Sequence, residues 1–199
     1  MKLYYAPKTR ATRPRWALEE LGVPYELVRL DLSARAHKTP EYLAIHPLGL
    51  VPALVDGDLT LIESTAIILH LADKYSDKGL APALGTAARA AYYQWIVYTI
   101  ATLEPPVMKL SGHTKLAPAE QDPTYLAEQR AKLDEAFAVL ERVLAGKDYL
   151  LGTFSAADII LGAQLVWARS LELLKGHPIL EAYTARLAER PAFKRSRAD

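Results

Sequence analysis

The chain has 199 residues, which is long enough for one or two domains with a hydrophobic core. Its 24 lysines and arginines nearly balance its 23 aspartates and glutamates, so no basic surface for nucleic acid is expected. It contains no cysteine, which excludes disulfide bonds, thiolate metal ligands and a nucleophilic cysteine.

The composition also bears on compartment and membranes. The chain starts MKLYYAP, without the positive-then-apolar pattern of a signal segment, so export is not expected. The most apolar stretch, Leu150–Ala168, contains Asp158 and a helix-start motif, whereas a membrane span needs roughly 20 almost uninterrupted apolar residues. The basic residues Lys194, Arg195 and Arg197 are interpreted as a solvated chain end. We expect a cytoplasmic protein with neither a membrane nor a nucleic-acid partner.

The first 75 residues alternate short apolar runs with helical patterns. Gly22 predicts a helix end, and Asp56-Gly57 between two apolar runs predicts a hairpin turn. Thr39 before Pro40 predicts a helix cap followed by a first-turn proline. In chain order the predicted elements are a strand at 2–6, a helix at 13–21, a strand at 24–32, a short helix from 40 that ends before 47, strands at 51–56 and 59–62, and a helix at 64–75. This βαβαββα order predicts a parallel strand pair followed by an antiparallel hairpin.

The pattern beyond residue 76 is entirely helical. A long helical pattern at 86–110 is expected to bend at Pro105-Pro106, and Asp122-Pro123 predicts the start of another helix. Pro178 begins the last long helix, which Pro191 interrupts. We therefore predict an α/β domain at residues 1–76, a linker at 77–86 and an all-α helical C-terminal domain at 87–199.

The motif FSAADI predicts how the most apolar helix begins. Ser155 is the expected helix cap and Asp158 the residue that reaches back to it, which is a capping box. Phe154 and Ile159 would form the accompanying hydrophobic staple. This motif has a structural interpretation, so Asp158 is expected to contribute to stability and not to catalysis.

Several segments, in this order, resemble the cytosolic glutathione S-transferases, especially the bacterial ones. They are RWALEELGVPYELVRLDL, HKTPEYLAIHPLGLVPALVDGDLTLIESTAIILHLADKY, FSAADIILG and RPAFKR, and the resemblance covers nearly the whole chain. It implies a thioredoxin-like N-terminal domain, a helical C-terminal domain, a glutathione site between them and usually a homodimer. Cytoplasmic detoxification is the role that the resemblance implies.

The resemblance assigns four residues to glutathione directly. It makes Pro52 a cis-proline whose geometry exposes the backbone of Val51, so that the peptide of glutathione can pair with it like an added strand. Glu63 would bind the ammonium of the γ-glutamyl end, and the Ser64 hydroxyl and N–H would bind its carboxylate at a helix N-terminus. From position alone, a trans proline and an ordinary serine cap remain alternatives.

The glycine carboxylate of glutathione needs a cation or a donor. His37 matches a position that the resembling family often uses, and Lys38 lies next to it. Both are equally compatible with a solvated loop. The family often has Lys or Arg where this chain has Leu50, which gives more weight to His37.

The segment APKTRATRPRW joins the first strand to the first helix, where the group that activates the thiol must lie. By resemblance, Thr9 falls on the serine of serine-type members, and Thr12 is the runner-up. Arg10 takes the place of the cysteine used by others, so the chain resembles the serine/threonine type and not the cysteine type. Backbone N–H groups of this loop, or an ordinary capping role for Thr9, remain alternatives.

The second substrate is expected against the helical domain. Tyr98, Ala101, Thr102 and Pro105 share one face at helical spacing, and with Met108 they would line an apolar pocket for a small hydrophobic electrophile. An interdomain core is the alternative interpretation.

Three function classes remain open at this stage. The first is a transferase that conjugates glutathione to a hydrophobic electrophile. The second is a glutathione-dependent peroxidase, disulfide reductase or isomerase, and the third is a non-catalytic glutathione- or protein-binding module. Glutathione as co-substrate is the only small molecule expected besides the electrophile. No metal site is predicted, because no ligand spacing joins the five histidines at 37, 46, 70, 113 and 177.

Overall fold

The computed structural model describes residues 1–198, which form two compact units. The first unit comprises Met1–Ala81 together with the C-terminal residues from Ala188 onward. The second unit is Pro82–Leu187. The division after residue 81 falls within the predicted linker. The C-terminal residues group with the first unit, whereas the sequence pattern had placed them with the helical domain.

The first unit is a four-stranded sheet with helices, in the predicted βαβαββα order. Its elements are β1 (Lys2–Tyr5), α1 (Thr12–Leu21), β2 (Glu26–Arg29), α2 (Pro40–Leu43), β3 (Ala53–Asp56), β4 (Leu59–Ile62) and α3 (Ser64–Lys74). The strand order is β2-β1-β3-β4. β1 and β2 are parallel, whereas β3 runs antiparallel to both β1 and β4. This confirms the thioredoxin-like prediction of a parallel pair joined to a hairpin.

Local sequence signals explain where these elements begin and end. Gly22 ends α1 with φ +64°, a left-handed conformation that glycine adopts without steric cost. The Thr39 side chain accepts a hydrogen bond from the Tyr42 N–H at the start of α2. Gly57, with φ +63°, allows the two-residue turn between β3 and β4.

The core of the first unit lies between the sheet and the packed pair α1 and α3. Its fully buried side chains include Leu3, Leu18, Leu54, Ile67 and Leu71. A C-terminal helix, α9 (Pro191–Arg195), packs on α1. The Phe193 ring lies edge-on to Trp16 at 4.9 Å, and the Arg190 guanidinium pairs with the Glu20 carboxylate at 2.7 Å.

The second unit is entirely helical, as predicted. Its helices are α4 (Ala87–Tyr98), α5 (Glu104–His113), α6 (Pro123–Leu144), α7 (Ala156–Ser170) and α8 (Pro178–Ala188), the last of which ends at the unit boundary. α7 is the most buried of them, with residues 156–165 all buried. The Ser155–Asp158 capping box at its start is confirmed. Among residues 1–198, no helix has both the length and the apolar character to cross a bilayer.

The connection between α4 and α5 differs from the sequence expectation. Thr99–Leu103 form a π-helix, so a single α-helical repeat across residues 98–105 is wrong. Pro105 has no N–H and therefore cannot donate to the carbonyl of Ala101, as an α-helix would require. The π-helix ends at Leu103, so the irregular turn lies just before the two prolines at which the bend was predicted.

Candidate functional site

Strand register brings the predicted glutathione residues to one end of the sheet. Tyr4 near the end of β1 pairs with Ala53 at the start of β3, and Ala53 pairs with Ile62 at the end of β4. The loop after β1, the segment before β3 and the segment after β4 therefore meet at this end. Tyr5 also pairs with Arg29, so the loop after β2 leaves from the same end. We call this end of the sheet the candidate site.

Two helices begin at the candidate site. α1 follows β1 and α3 follows β4, so both N-termini point toward this end of the sheet. The free N–H groups of a helix N-terminus and its partial positive charge favour anions. At α1 the N–H groups of Thr12 and Arg13 are already bonded to carbonyls of the preceding loop, so this helix offers its partial charge alone. The site is therefore suited to the anionic groups of a ligand.

The two threonines predicted to activate the thiol lie in the loop between β1 and α1 (Thr9) and at the first position of α1 (Thr12). The Thr9 hydroxyl donates to the carbonyl of Ala6 at 2.7 Å and accepts from the N–H of Ala11 at 3.2 Å. The Thr12 hydroxyl donates to the carbonyl of Thr9 at 3.0 Å. Because a hydroxyl has a single proton, either group must release a backbone carbonyl before it can donate to a sulfur.

The β1–α1 loop and the entry to α3 each contain a residue whose backbone conformation is rare outside glycine. Lys8 in the β1–α1 loop has φ +59°, and Glu63 before α3 has φ +72°. Such conformations cost about 1–3 kcal/mol each and occur preferentially at functional sites. Neither residue type signals a positive φ, so this strain could not be predicted from the sequence.

The Val51–Pro52 peptide is cis, as predicted. Pro52 is buried and Val51 is half-buried. The next residue, Ala53, opens β3 and is fully buried. The backbone of Val51 thus lies just before the first residue of β3, at the candidate site.

Glu63 and Ser64 lie where β4 turns into α3. Glu63 is exposed and occupies the position before the helix, and its side chain makes no capping bond. Ser64 is the first residue of α3 and is 5% exposed. An exposed carboxylate beside a helix N-terminus offers opposite charges at adjacent positions, which is the pattern needed for an amino-acid zwitterion.

His37 and Lys38 belong to a short 3₁₀ turn, Ala36–Lys38, in the loop after β2. The Lys38 ammonium donates to the carbonyl of Leu48 at 2.8 Å and so joins this turn to the segment before β3. Gly49, with φ +56°, approaches the same turn closely. A Cβ on Gly49 would collide with the carbonyl oxygen of His37 and lie 2.9 Å from the Leu43 side chain. This close approach explains the glycine.

His46 is a buried histidine of the same loop that the sequence did not single out. It is 5% exposed, and burial lowers the pKa of its imidazole, which is therefore neutral at pH 7. Within residues 1–198, the Nδ1 atoms of His46 and His37 are both buried without a hydrogen-bond partner. The part of the chain that the structure describes also contains no cluster of histidine and acidic residues fit for a metal ion.

A hollow of about 500 Å³ opens where β1 and β2 end, beside the loop that carries Thr9. Its volume is within the range typical of small-molecule sites. Its walls are polar and apolar in about equal parts, and the Asp31 carboxylate on its rim accepts from the N–H and hydroxyl of Ser33. The lining residues are Ala6, Pro7, Arg29, Leu30, Asp31 and Leu32. Sequence reasoning missed this hollow because its residues become neighbours only through the β1–β2 pairing.

The residues predicted to bind the electrophile lie in the second unit. Tyr98 is half-buried, and its hydroxyl donates to the carbonyl of Ala136 on α6 at 3.1 Å. Thr102 and Met108 are exposed, Thr102 within the π-helix and Met108 on α5. The π-helix changes the angular spacing of the side chains between Tyr98 and Pro105, so α-helical periodicity does not show that they share a face. Their exposure to solvent is what leaves Thr102 and Met108 available to a ligand.

Comparison with known proteins identifies the family. Residues 1–73 match the family model described as the glutathione S-transferase N-terminal domain, and residues 123–188 match the glutathione S-transferase C-terminal domain. Glutathione S-transferase F10 of Arabidopsis thaliana is 33% identical, over 96% of this chain and 93% of that protein. GstA of Escherichia coli O157:H7 is 31% identical, over 96% of this chain and 94% of its own length. The disulfide-bond oxidoreductase YfcG of Escherichia coli (strain K12) is 30% identical, over 96% of this chain and 91% of that protein.

Solved structures agree with these relatives. A ternary complex of BphK, a bacterial GST, matches with a TM-score of 0.85 and 33% identity, over 100% of this chain and 98% of that one. A sphingomonad glutathione S-transferase complexed with glutathione matches with a TM-score of 0.82 and 33% identity, over 100% and 98% of the two chains. This chain belongs to the cytosolic glutathione S-transferase family.

Proposed function

We propose that this protein is a glutathione S-transferase that joins the thiol of glutathione to a small hydrophobic electrophile. One observation carries the proposal: the β1–α1 loop, the cis Val51–Pro52 segment and the start of α3 meet at one end of the sheet. These segments offer a backbone edge for the peptide, a carboxylate for its ammonium and two helix N-termini for its anions.

Each part of glutathione has a matching group in the proposal. Val51 pairs with the cysteinyl backbone through its own N–H and carbonyl, and Pro52 holds that edge open. Glu63 binds the γ-glutamyl ammonium, and Ser64 binds the adjoining carboxylate at the start of α3. His37 contacts the glycine carboxylate, since the Lys38 ammonium is already bound to the carbonyl of Leu48.

The chemical step needs the thiolate form of glutathione. A free thiol has a pKa of about 8.5, so it is mostly protonated at neutral pH. A donor hydroxyl and the N-terminus of α1 favour the thiolate, which attacks the electrophilic carbon and expels the leaving group while the thiol proton passes to solvent. Thr9 is the proposed donor, and Thr12 or a backbone N–H of the loop is the alternative.

The electrophile, the oligomeric state and the compartment are further parts of the proposal. Tyr98, Thr102 and Met108 are proposed to line the electrophile pocket. A cytoplasmic homodimer is proposed, and exposed apolar side chains on two surface segments support the dimer. Leu48 and Leu50 are 66% and 52% exposed on the loop before β3, and Val97 is 61% exposed on α4. Sedimentation at several concentrations tests the dimer.

Retention on glutathione resin, followed by a substrate panel, tests the function. We expect retention, elution by free glutathione and conjugation of at least one activated aryl halide or epoxide. Tight retention with no turnover of any electrophile, peroxide or disulfide would point to a non-catalytic binding module. Failure to bind glutathione at all would contradict the proposal.

Glutathione-dependent disulfide reduction is the second candidate, because YfcG is named a disulfide-bond oxidoreductase. The chain lacks cysteine, so the attacking thiol must come from glutathione itself. One glutathione thiolate would open the substrate disulfide to a mixed disulfide, and a second would release the reduced substrate as oxidised glutathione forms. Faster turnover of a hydroxyethyl disulfide than of every electrophile in the panel would favour this reaction.

Replacing Thr9 by valine tests the proposed donor. We expect kcat/KM for conjugation to fall about 10-fold and the pKa of bound glutathione thiol to rise by about 1 unit, because one hydrogen bond to the thiolate is lost. The change is modest, since the hydroxyl gives up its bond to Ala6 in order to serve the sulfur. The absorbance of bound thiolate against pH measures the shift.

Two further variants sharpen the Thr9 test. Thr9→Ser keeps the hydroxyl and should retain both the rate and the thiol pKa. Thr60→Val makes the same change on the exposed face of β4 and should be silent. An unaltered thiol pKa in Thr9→Val would transfer the role to Thr12 or to the loop backbone.

A further inference from the structure

Tyr42 on α2 makes a hydrogen bond that reaches the glutathione-binding edge. Its hydroxyl donates to the carbonyl oxygen of Leu50 at 2.6 Å, and its side chain is 3% exposed. Burial raises the pKa of this phenol above its ordinary value. Tyr42 therefore remains protonated, and remains a donor, at any pH near neutrality.

The ring of Tyr42 is fixed from two sides. It packs against Tyr4 of β1 with ring centroids 5.4 Å apart, and it lies 6.3 Å from the ring of His46. Tyr4 pairs with Ala53, the first residue of β3. The hydroxyl of Tyr42 is thus held in a fixed position relative to the Tyr4–Ala53 pair, and Ala53 directly follows the cis Val51–Pro52 peptide in the chain.

The Leu50 carbonyl and the Val51 N–H belong to the same peptide unit. Val51–Pro52 is the one cis peptide within residues 1–198, so the Leu50–Val51 peptide is trans. In a planar trans peptide the carbonyl and the N–H point in opposite directions. A hydroxyl that holds the Leu50 carbonyl toward Tyr42 therefore holds the Val51 N–H on the side away from Tyr42.

We propose that Tyr42 is a positioning residue for glutathione: its hydrogen bond to Leu50 orients the Val51 N–H that pairs with the cysteinyl backbone. The inference rests on the proposed function, in which Val51 forms that pairing. It assigns Tyr42 a role in docking the peptide and none in activating the thiol.

The docking role separates from a purely structural one because the ring of Tyr42 provides its packing contacts, whereas the hydroxyl provides only the bond to Leu50. When the hydroxyl is removed, the carbonyl loses one hydrogen bond, while the Tyr42 ring keeps its packing against Tyr4 and His46, so the fold is retained. What is lost is the fixed orientation of one peptide plane. The expected consequence is weaker glutathione binding in a protein that remains folded.

The test is Tyr42→Phe, which keeps the ring contacts and removes the hydroxyl. We expect KM for glutathione to rise about 3- to 10-fold, while kcat at saturating glutathione stays within about twofold. S-methylglutathione, which has the peptide but no free thiol, should bind more weakly by the same factor in calorimetry.

Tyr25→Phe is the matched control. The Tyr25 hydroxyl also donates a short hydrogen bond, at 2.7 Å, but to Glu19 on α1. This variant should leave both glutathione constants unaltered. An equal rise in KM in Tyr25→Phe would overturn the inference, because loss of any hydrogen-bonded tyrosine hydroxyl would then have the same effect.

Two other results would also overturn it: an S-methylglutathione affinity in Tyr42→Phe within twofold of the parent chain, or a fall in kcat with KM unchanged. If the parent chain itself fails to bind S-methylglutathione, the proposed function fails and the inference fails with it. The parent measurement therefore distinguishes the two failures.

Discussion

Glu63→Gln should weaken glutathione binding about 10- to 100-fold and leave the fold intact. Glu63 is exposed at the entry to α3, so its charge contributes little to packing. Loss of a charge-assisted hydrogen bond leaves the γ-glutamyl ammonium unpaired, at a cost of about 1.5–3 kcal/mol. Glutamine keeps the length of the side chain, so the change isolates the charge. Isothermal titration calorimetry with glutathione measures the loss.

A glutathione analogue that lacks the α-amino group makes this test specific. The parent chain should bind glutathione more tightly than the analogue, whereas Glu63→Gln should bind both about equally. Glu26→Gln removes an exposed carboxylate from the opposite end of the same sheet and serves as the control. If Glu63→Gln still preferred glutathione over the analogue, the ammonium would have to be bound elsewhere.

Local signals in the sequence predicted most of the secondary structure. Gly22, the Thr39 cap and the Asp56-Gly57 turn each act through backbone conformation or hydrogen bonds within a few residues, so their effect can be read without the tertiary structure. The cis peptide before Pro52 is different. Chain position alone favours a trans bond, and only the resemblance to a family predicted the cis form that the structure has.

Long-range pairing explains what the sequence did not predict. The C-terminal helix α9 joins the first unit through Arg190 with Glu20 and Phe193 with Trp16, pairs that lie more than 165 residues apart. No periodicity within α9 indicates such a partner. Tyr42 and Leu50 are only eight residues apart, but their hydrogen bond depends on how the loop between them folds, which the sequence does not show. The resemblance to a family therefore supplied the residues predicted for the candidate site, while strand register brings their segments to one end of the sheet.

Asp158 is the residue whose loss should cost the second unit most. It is fully buried, and its carboxylate accepts four hydrogen bonds. The donors are the Leu150 N–H at 2.9 Å, the Ser155 N–H at 2.8 Å, the Ser155 hydroxyl at 3.0 Å and the Tyr183 hydroxyl at 2.8 Å. The sequence predicted the bonds to Ser155, but not that the same carboxylate joins α7 to α8 and to the segment before it.

Asp158→Ala should lower the free energy of unfolding by about 3–5 kcal/mol, because it removes the capping box and leaves buried donors without an acceptor. Such a loss is a large part of the about 5–15 kcal/mol that stabilises a typical domain. Tyr183→Phe removes a single donor and should cost about 1–2 kcal/mol, so it remains measurable if Asp158→Ala unfolds. Urea denaturation followed by circular dichroism gives both values.

Asp122 provides the matched comparison, since it caps α6 by accepting from the N–H groups of Thr124 and Tyr125 but is exposed. Asp122→Ala should cost only about 1 kcal/mol. The difference between the two losses of unfolding free energy measures what burial and the Leu150 and Tyr183 bonds add to an ordinary cap.

The glutathione affinity of folded Asp158→Ala should match that of the parent chain, because Asp158 lies outside the unit that carries Glu63 and Ser64. Equal losses of unfolding free energy in the two variants would mean that Asp158 acts as a cap and nothing more.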